Sequence, residues 1–199
     1  MNKPQSHSEY YDQTFDRIDL TGENLESIEF EECEFRDCQF SESRFRQCKF
    51  INCTFIRCNL SLMKVPFARF SEVSFIECKL VGIDWSLADW PNYRADADMS
   101  FRQCIMNDNS FFGLTLKGLI LKECKLHDAD FREGDFSDAS MTYCDFTHSV
   151  FMRTNLQNAD FTESTNLFLS VLDNNLTAAK FSRYEALGLL EALGIELVD

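Results

Sequence analysis

Every fifth residue of this chain is apolar over most of its length. From Phe15 the series runs through Leu20, Leu25, Phe30, Phe35, Phe40, Phe45, Phe50, Phe55, Leu60, Val65, Phe70, Phe75, Leu80 and Trp85 to Trp90 without a polar member. A second series, one residue out of phase, runs from Phe101 through Met106, Phe111, Leu116, Leu121, Leu126, Phe131, Phe136, Met141, Phe146, Phe151, Leu156, Phe161, Val171 and Leu176 to Phe181, and only Asn166 breaks it. Two residues before the centres stand mostly small side chains, such as Cys33, Cys38, Ser43, Cys48, Ala129, Gly134 and Ala139. A period of five matches neither a helix nor a strand, so neither element would put these centres on one side. The chain must instead turn every five residues. If each turn has the same sense, the centre and minus-two side chains point inward, the other three face water, and successive coils pair at about 4.8 Å.

The units Ala129-Asp130-Phe131-Arg132-Glu133, Thr154-Asn155-Leu156-Gln157-Asn158 and Ala159-Asp160-Phe161-Thr162-Glu163 resemble the A(D/N)LXX repeat of the pentapeptide-repeat family. The pattern covers residues 13–181. The resemblance implies an all-β solenoid, a right-handed quadrilateral β-helix with four units to a coil. On that template Phe15, Phe35, Phe55 and Phe75 stack on one face, and Phe30, Phe50, Phe70 and Trp90 on another, an arrangement with a packing basis in offset ring stacking. About eight coils at about 4.8 Å make a rod on the order of 40 Å long. Its interior is expected to be packed side chain, not a pocket.

Boundaries follow from where the period changes. Residues 1–12 form an N-terminal tail, 13–90 a first coil segment, 91–100 a phase-shift hinge or bulge, 101–181 a second coil segment and 182–199 a C-terminal cap. The one-residue shift between Trp90 and Phe101 predicts a bulge or a kink dividing the rod, with a functional loop as the other reading; no long loop is otherwise expected. Gln13 and Glu23 fall on inward positions, which requires the first coil to be frayed or solvated. Ser182 and Glu185 read as a capping box, Ala186, Leu187, Leu189, Leu190 and Leu193 recur at helical spacing, and Gly194 is placed as the C-cap. Ile195, Leu197 and Val198 then alternate with Glu196 as a short strand does. This C-terminal α-helix and strand cover the open edge of the last coil or join two chains. The second use occurs in the topoisomerase-directed members of the family, and it predicts a homodimer through Leu187, Leu190, Leu193, Ile195 and Leu197.

Composition sharpens this picture. The chain has 20 Phe but only 7 Gly and 3 Pro, so its turns cannot rest on the usual turn residues. All nine Cys occupy minus-two positions, which reads as small core residues and not as a converging metal site. His7, His127 and His148 accompany no nucleophile, and no phosphate loop or nucleophile elbow appears. The expectation is therefore a non-enzymatic binding protein without cofactor or metal. The polar N-terminus and the lack of a long apolar run place it in the cytoplasm, off the membrane.

A formal charge of −14 disfavours direct nucleic-acid binding and favours a basic partner. The charge is uneven. Residues 9–34 carry ten acidic side chains against Arg17 alone, 128–145 carry six against Arg132 alone, and 36–79 are net basic. Asp108 and Asp128 are expected one coil apart, with Glu123, Asp130, Glu133, Asp135, Asp138 and Asp145 on adjoining surfaces as the partner-binding acids. Here the resemblance narrows to the Qnr, MfpA and albicidin- and microcin-immunity group, cytoplasmic dimers that mimic DNA and act on type II topoisomerases, chiefly gyrase. It implies modulation of the enzyme or its protection from quinolone-type antibiotics. The competing reading is a pentapeptide-repeat scaffold or adaptor with an unrelated protein partner.

Overall fold

The computed structural model describes residues 3–90, 99–196 and 198. Phe15 pairs in parallel with Phe35, Phe35 with Phe55 and Phe55 with Phe75. Each step is twenty residues, so four pentapeptides make one turn of a β-solenoid of about eight turns. The four faces are numbered from the residues that open them: face 1 from Phe15, face 2 from Leu20, face 3 from Leu25 and face 4 from Phe30. Face 1 is a nine-stranded parallel sheet running from Thr14–Asp16 to Lys180–Phe181. Face 4 carries Glu9–Tyr11, Glu29–Glu31, Lys49–Ile51 and Arg69–Ser71. Faces 2 and 3 are held largely by single bridges, such as Asp19 to Gln39 to Asn59 to Lys79.

The strands are mostly three residues long because the rest of each unit makes a corner. Two residues past nearly every centre the backbone enters the left-handed region, as at Asp37 (φ 53°), Arg57 (φ 51°) and Asp128 (φ 56°). This conformation costs an ordinary L-residue about 1–2 kcal/mol. The corner N–H recovers part of that cost by pairing with the next coil: Asp37 N donates to Ile56 O and Arg57 N to Ile76 O, both at 2.9 Å. Turns that the low glycine content left unexplained are thus made mostly by acidic, basic and amide residues.

Inside, the centres form ladders. Phe15, Phe35, Phe55 and Phe75 stack at 5.0, 4.6 and 4.9 Å, with interplanar angles of 9°, 10° and 13°. Tyr10, Phe30, Phe50, Phe70 and Trp90 stack along face 4. All nine Cys are buried, and their thiols donate to backbone carbonyls, as Cys38 does to Phe15 O and Arg36 O. Burial pushes the Cys48 thiol up to about 11.

Three expectations at the joints are corrected. Face 4 keeps its twenty-residue step as far as Asp89, which pairs with Arg69, and Trp90, which stacks on Phe70. On face 1 the step has become twenty-six, with Phe75 opposite Phe101. The expected hinge or bulge at 91–100 falls largely on 91–98, which lie outside the described residues. The phase shift marks six residues beyond the twenty of a turn between Phe75 and Phe101, not one. It does not divide the rod on face 1, since the Phe75 and Phe101 rings are 4.9 Å apart and within 6° of parallel.

The second correction concerns the last coil. Asn166 stands outside, at φ 60°, with Nδ2 on Asp145 Oδ1 at 2.8 Å. Leu167 and Leu169 are buried in its place, while Val171 is only half-buried. An amide that can pair outside leaves the core to the nearest leucine. At the other end Gln13 and Glu23 are exposed, and Lys3 pairs with Glu23 at 3.3 Å.

The third concerns the cap. A helix, α1, spans Arg183–Ala192. Ser182 precedes it but makes no capping bond; its hydroxyl accepts from Glu163 N at 2.7 Å, and Glu185 Oε2 accepts from Leu167 N at 3.2 Å. Both side chains of the expected capping box thus tie the helix to the last coils. Its C-terminal end does follow expectation: Gly194, at φ 76°, donates to Glu191 O and Ile195 N to Leu190 O, a Schellman arrangement. Among the described residues no strand follows, and Leu197 lies outside them.

Candidate partner interface

The solenoid sorts outward side chains into columns. Residues twenty apart lie one above the other, so sequence neighbours scatter around the rod and distant residues meet. Several columns set opposite charges one coil apart. Arg57 makes two 2.8 Å bonds to Asp37, Lys49 reaches Glu29 at 2.7 Å, Arg69 reaches Asp89 at 2.6 Å, and Arg153 pairs with Glu133.

This geometry separates the acids picked out between 108 and 145. Glu123, Asp128, Glu133 and Asp138 occupy the four successive corners of one coil, all in the left-handed conformation, so each points along a different edge of the rod. Asp108 does lie one coil from Asp128 on the same edge, its N–H donating to His127 O. Asp130, Asp135 and Asp145 sit on faces 3, 4 and 2. They form a belt, not a patch.

Much of the belt's charge is already used. Arg132 clamps Asp130 with bonds of 2.9 and 2.7 Å and holds its carboxyl below the ordinary range. Lys117 lies 3.5 Å from Asp135, whose carboxyl is lowered despite burial because Ser137 donates to it from both backbone and hydroxyl. Burial alone would raise Asp145, but hydrogen bonds from Thr147, Asn166 and His127 outweigh it and hold the carboxyl well below the usual carboxylate value. Asp138 accepts from Asn158 at 2.9 Å, Glu123 from Gln103 at 2.8 Å, and His148 stands 3.5 Å from Asp128. Asp108 has no ion-pair partner among the described residues.

A denser acidic surface lies on face 4 and the edge after it, at the N-terminal end. Glu9 is in register with Glu29 and Tyr11 with Glu31, and Asp12 and Glu32 stack on the following corner with Glu72 two coils beyond. Lys49 on Glu29 is the one cation paired to this group among the described residues. The hydrogen bond to Glu32 and that carboxylate's charge raise the exposed Tyr11 hydroxyl above its ordinary value. The run of ten acids was legible in the sequence; the signal that five of them share a surface was the spacing of twenty, folded onto the corner rule.

The repeat itself matches a known family model. A pentapeptide repeat region is matched at residues 28–94 and 97–161, more than half of the chain. This chain belongs to the pentapeptide-repeat family. Its pentapeptide-repeat rod is similar to two solved trypsin-treated forms of QnrB1, a plasmid-mediated fluoroquinolone resistance protein. The first has 21% identity and a TM-score of 0.72, covering 97% of this chain and 100% of the other. The second has 21% identity and a TM-score of 0.56, covering 98% and 99%. No curated protein matches the chain. The match is to a repeat region and not to a catalytic family. Among the described residues no helix is long and apolar enough to cross a membrane.

Proposed function

We propose that this protein is a cytoplasmic DNA mimic that binds DNA gyrase or another type II topoisomerase, modulating it or protecting it from antibiotics that poison it. The observation that carries the reading is the charge density of the N-terminal edge. Glu9, Asp12, Glu29, Glu31 and Glu32 fall within two coils; at about 4.8 Å per coil that is one carboxylate per about 2 Å of axis, against about 1.7 Å per charge in duplex DNA. A basic groove shaped for DNA would meet a comparable anion without needing bases. The fold shared with a fluoroquinolone resistance protein over nearly the whole chain supports the same direction. The protein's part is binding, not catalysis.

The exposed apolar end suits a homodimer. Leu187 and Leu190 of α1 are 42% and 37% exposed, and Leu193 and Ile195 just beyond it 42% and 46%, an apolar surface that the rod leaves uncovered.

The test is a gyrase supercoiling assay with the protein titrated in, with and without a quinolone, beside the variant Glu9→Lys, Asp12→Lys, Glu31→Lys, Glu32→Lys. Inhibition or drug protection that the variant loses, and that weakens with salt, is expected. An inert native protein, or a variant as active as the native one with an unchanged melting curve, overturns the acidic-mimic reading and leaves the scaffold reading in its place.

A further inference from the structure

Apolar exposure on the body of the rod is concentrated around face 3. Leu62 and Phe67 stand at its two corners at φ 59° and 58°, and Leu87 lies against Phe67 one coil on, its carbonyl accepting from Phe67 N at 2.8 Å. These side chains are 50%, 61% and 48% exposed. Bulky residues are poor choices for a left-handed corner, where glycine or asparagine suffices elsewhere on this rod. Leu62 is also held in place: it lies over Gly82 of the next coil, where an added Cβ would stand 2.7 Å from Leu62 Cδ2. Between Leu62 and Leu87 runs an open groove of about 490 Å³, floored by Met63 and Gly82.

Like charges also stack on this face, as they do where Lys49 stands over Arg69 and Arg102 over Lys122. Arg44 and Lys64 are bridged one directly above the other, cation on cation. Neither has a carboxylate within ion-pair distance among the described residues, whereas neighbouring Arg46 has Glu26 at 3.5 Å. Like charges directly opposite destabilise a strand pair. The acids at the groove are Glu42 on its rim and Asp84, whose Oδ1 is occupied by the backbone and hydroxyl of Ser86 at 3.0 and 2.6 Å.

We propose that face 3 is a second docking surface, for an extended segment of a partner protein whose apolar side chains fill the groove between Leu62 and Leu87 and whose carboxylate lies on Arg44 and Lys64. Charge complementarity selects this occupant: an anion relieves the stacked cations, and the apolar walls demand side chains that a nucleic-acid backbone lacks. The surface is distinct from the acidic edge, so the proposal does not rest on the topoisomerase reading.

The probe is a fluorescein-labelled peptide alternating leucine and glutamate, with leucine–lysine and serine–glutamate peptides as controls, measured by anisotropy against the full chain. The leucine–glutamate peptide is expected to bind at least tenfold more tightly than either control, and to weaken with salt. Arg44→Glu with Lys64→Glu should reduce its affinity at least tenfold. Leu62→Asn with Phe67→Asn should do the same without lowering the melting temperature, because asparagine accepts the corner conformation. No saturable binding, equal binding of the control peptides, or unchanged binding to the Asn variant sinks the proposal; preferential binding of a single-stranded oligonucleotide at the same residues replaces it with a nucleic-acid site.

Discussion

Replacing Gly134 by alanine sets the repeat pattern against the packing. Gly134 holds a minus-two position, where alanine is the repeat's usual residue and where Ala129, Ala139 and Ala159 stand in this chain. By pattern alone Gly134→Ala should stabilise the protein by about 0.4–1 kcal/mol, through the lower entropy of the unfolded chain. The structure predicts the opposite. A Cβ at 134 would lie 2.3 Å from Phe136 Cε2 and 3.0 Å from Leu114 O. The Phe136 ring cannot swing away freely: it is fully buried and meets Phe131 edge-on at 5.2 Å and Phe111 at 6.4 Å. Overpacking of this kind costs about 1–3 kcal/mol, and a ring locked on both sides puts it in the upper half of that range, so the net effect is a loss of about 1–2.6 kcal/mol once the entropic gain is subtracted. Urea unfolding followed by far-ultraviolet circular dichroism measures it. Adding Phe136→Leu should abolish the alanine penalty, a coupling of about 1 kcal/mol or more between contacting residues. A Gly134→Ala protein as stable as the native one, or a penalty of the same size when Phe136→Leu is also present, would refute the packing argument.

Two further outcomes follow from the same structure. The nine thiols should be silent to a thiol reagent in the folded protein and all react in denaturant, because each is buried in the solenoid core; fast labelling of any one under native conditions would show that its coil opens. Asp145 is held below its unfolded value, so its contribution to stability is complete above about pH 4 and is lost as pH falls further toward its folded value. Urea midpoints measured at pH 7, 4 and 3 should therefore drop less steeply for Asp145→Ala than for the native protein; identical slopes would show that the bonds from Thr147, Asn166 and His127 add nothing to the carboxylate.

The period of five, together with the alternation of large centres and small minus-two residues, was enough to determine the solenoid, the two aromatic ladders and the burial of every cysteine. Those properties repeat unit by unit, and each depends on residues within one pentapeptide and on the fixed step to the next. What the sequence could not convey was which distant residues share a column. Glu123, Asp128, Glu133 and Asp138 look like a cluster along the chain yet stand on four different edges, whereas Glu9 meets Glu29 and Asp12 meets Glu32. The hinge was misread for a related reason: counting by fives detects an insertion only by its remainder, so six extra residues and one give the same phase shift, and only the pairing of Phe75 with Phe101 tells them apart. Ser182 and Glu185 read locally as a capping box, but the last coils offered their own N–H groups and won both side chains. Local pattern fixes the repeat because its forces act within and between adjacent coils; charge partnership and joint geometry are tertiary because they depend on how many residues each turn holds.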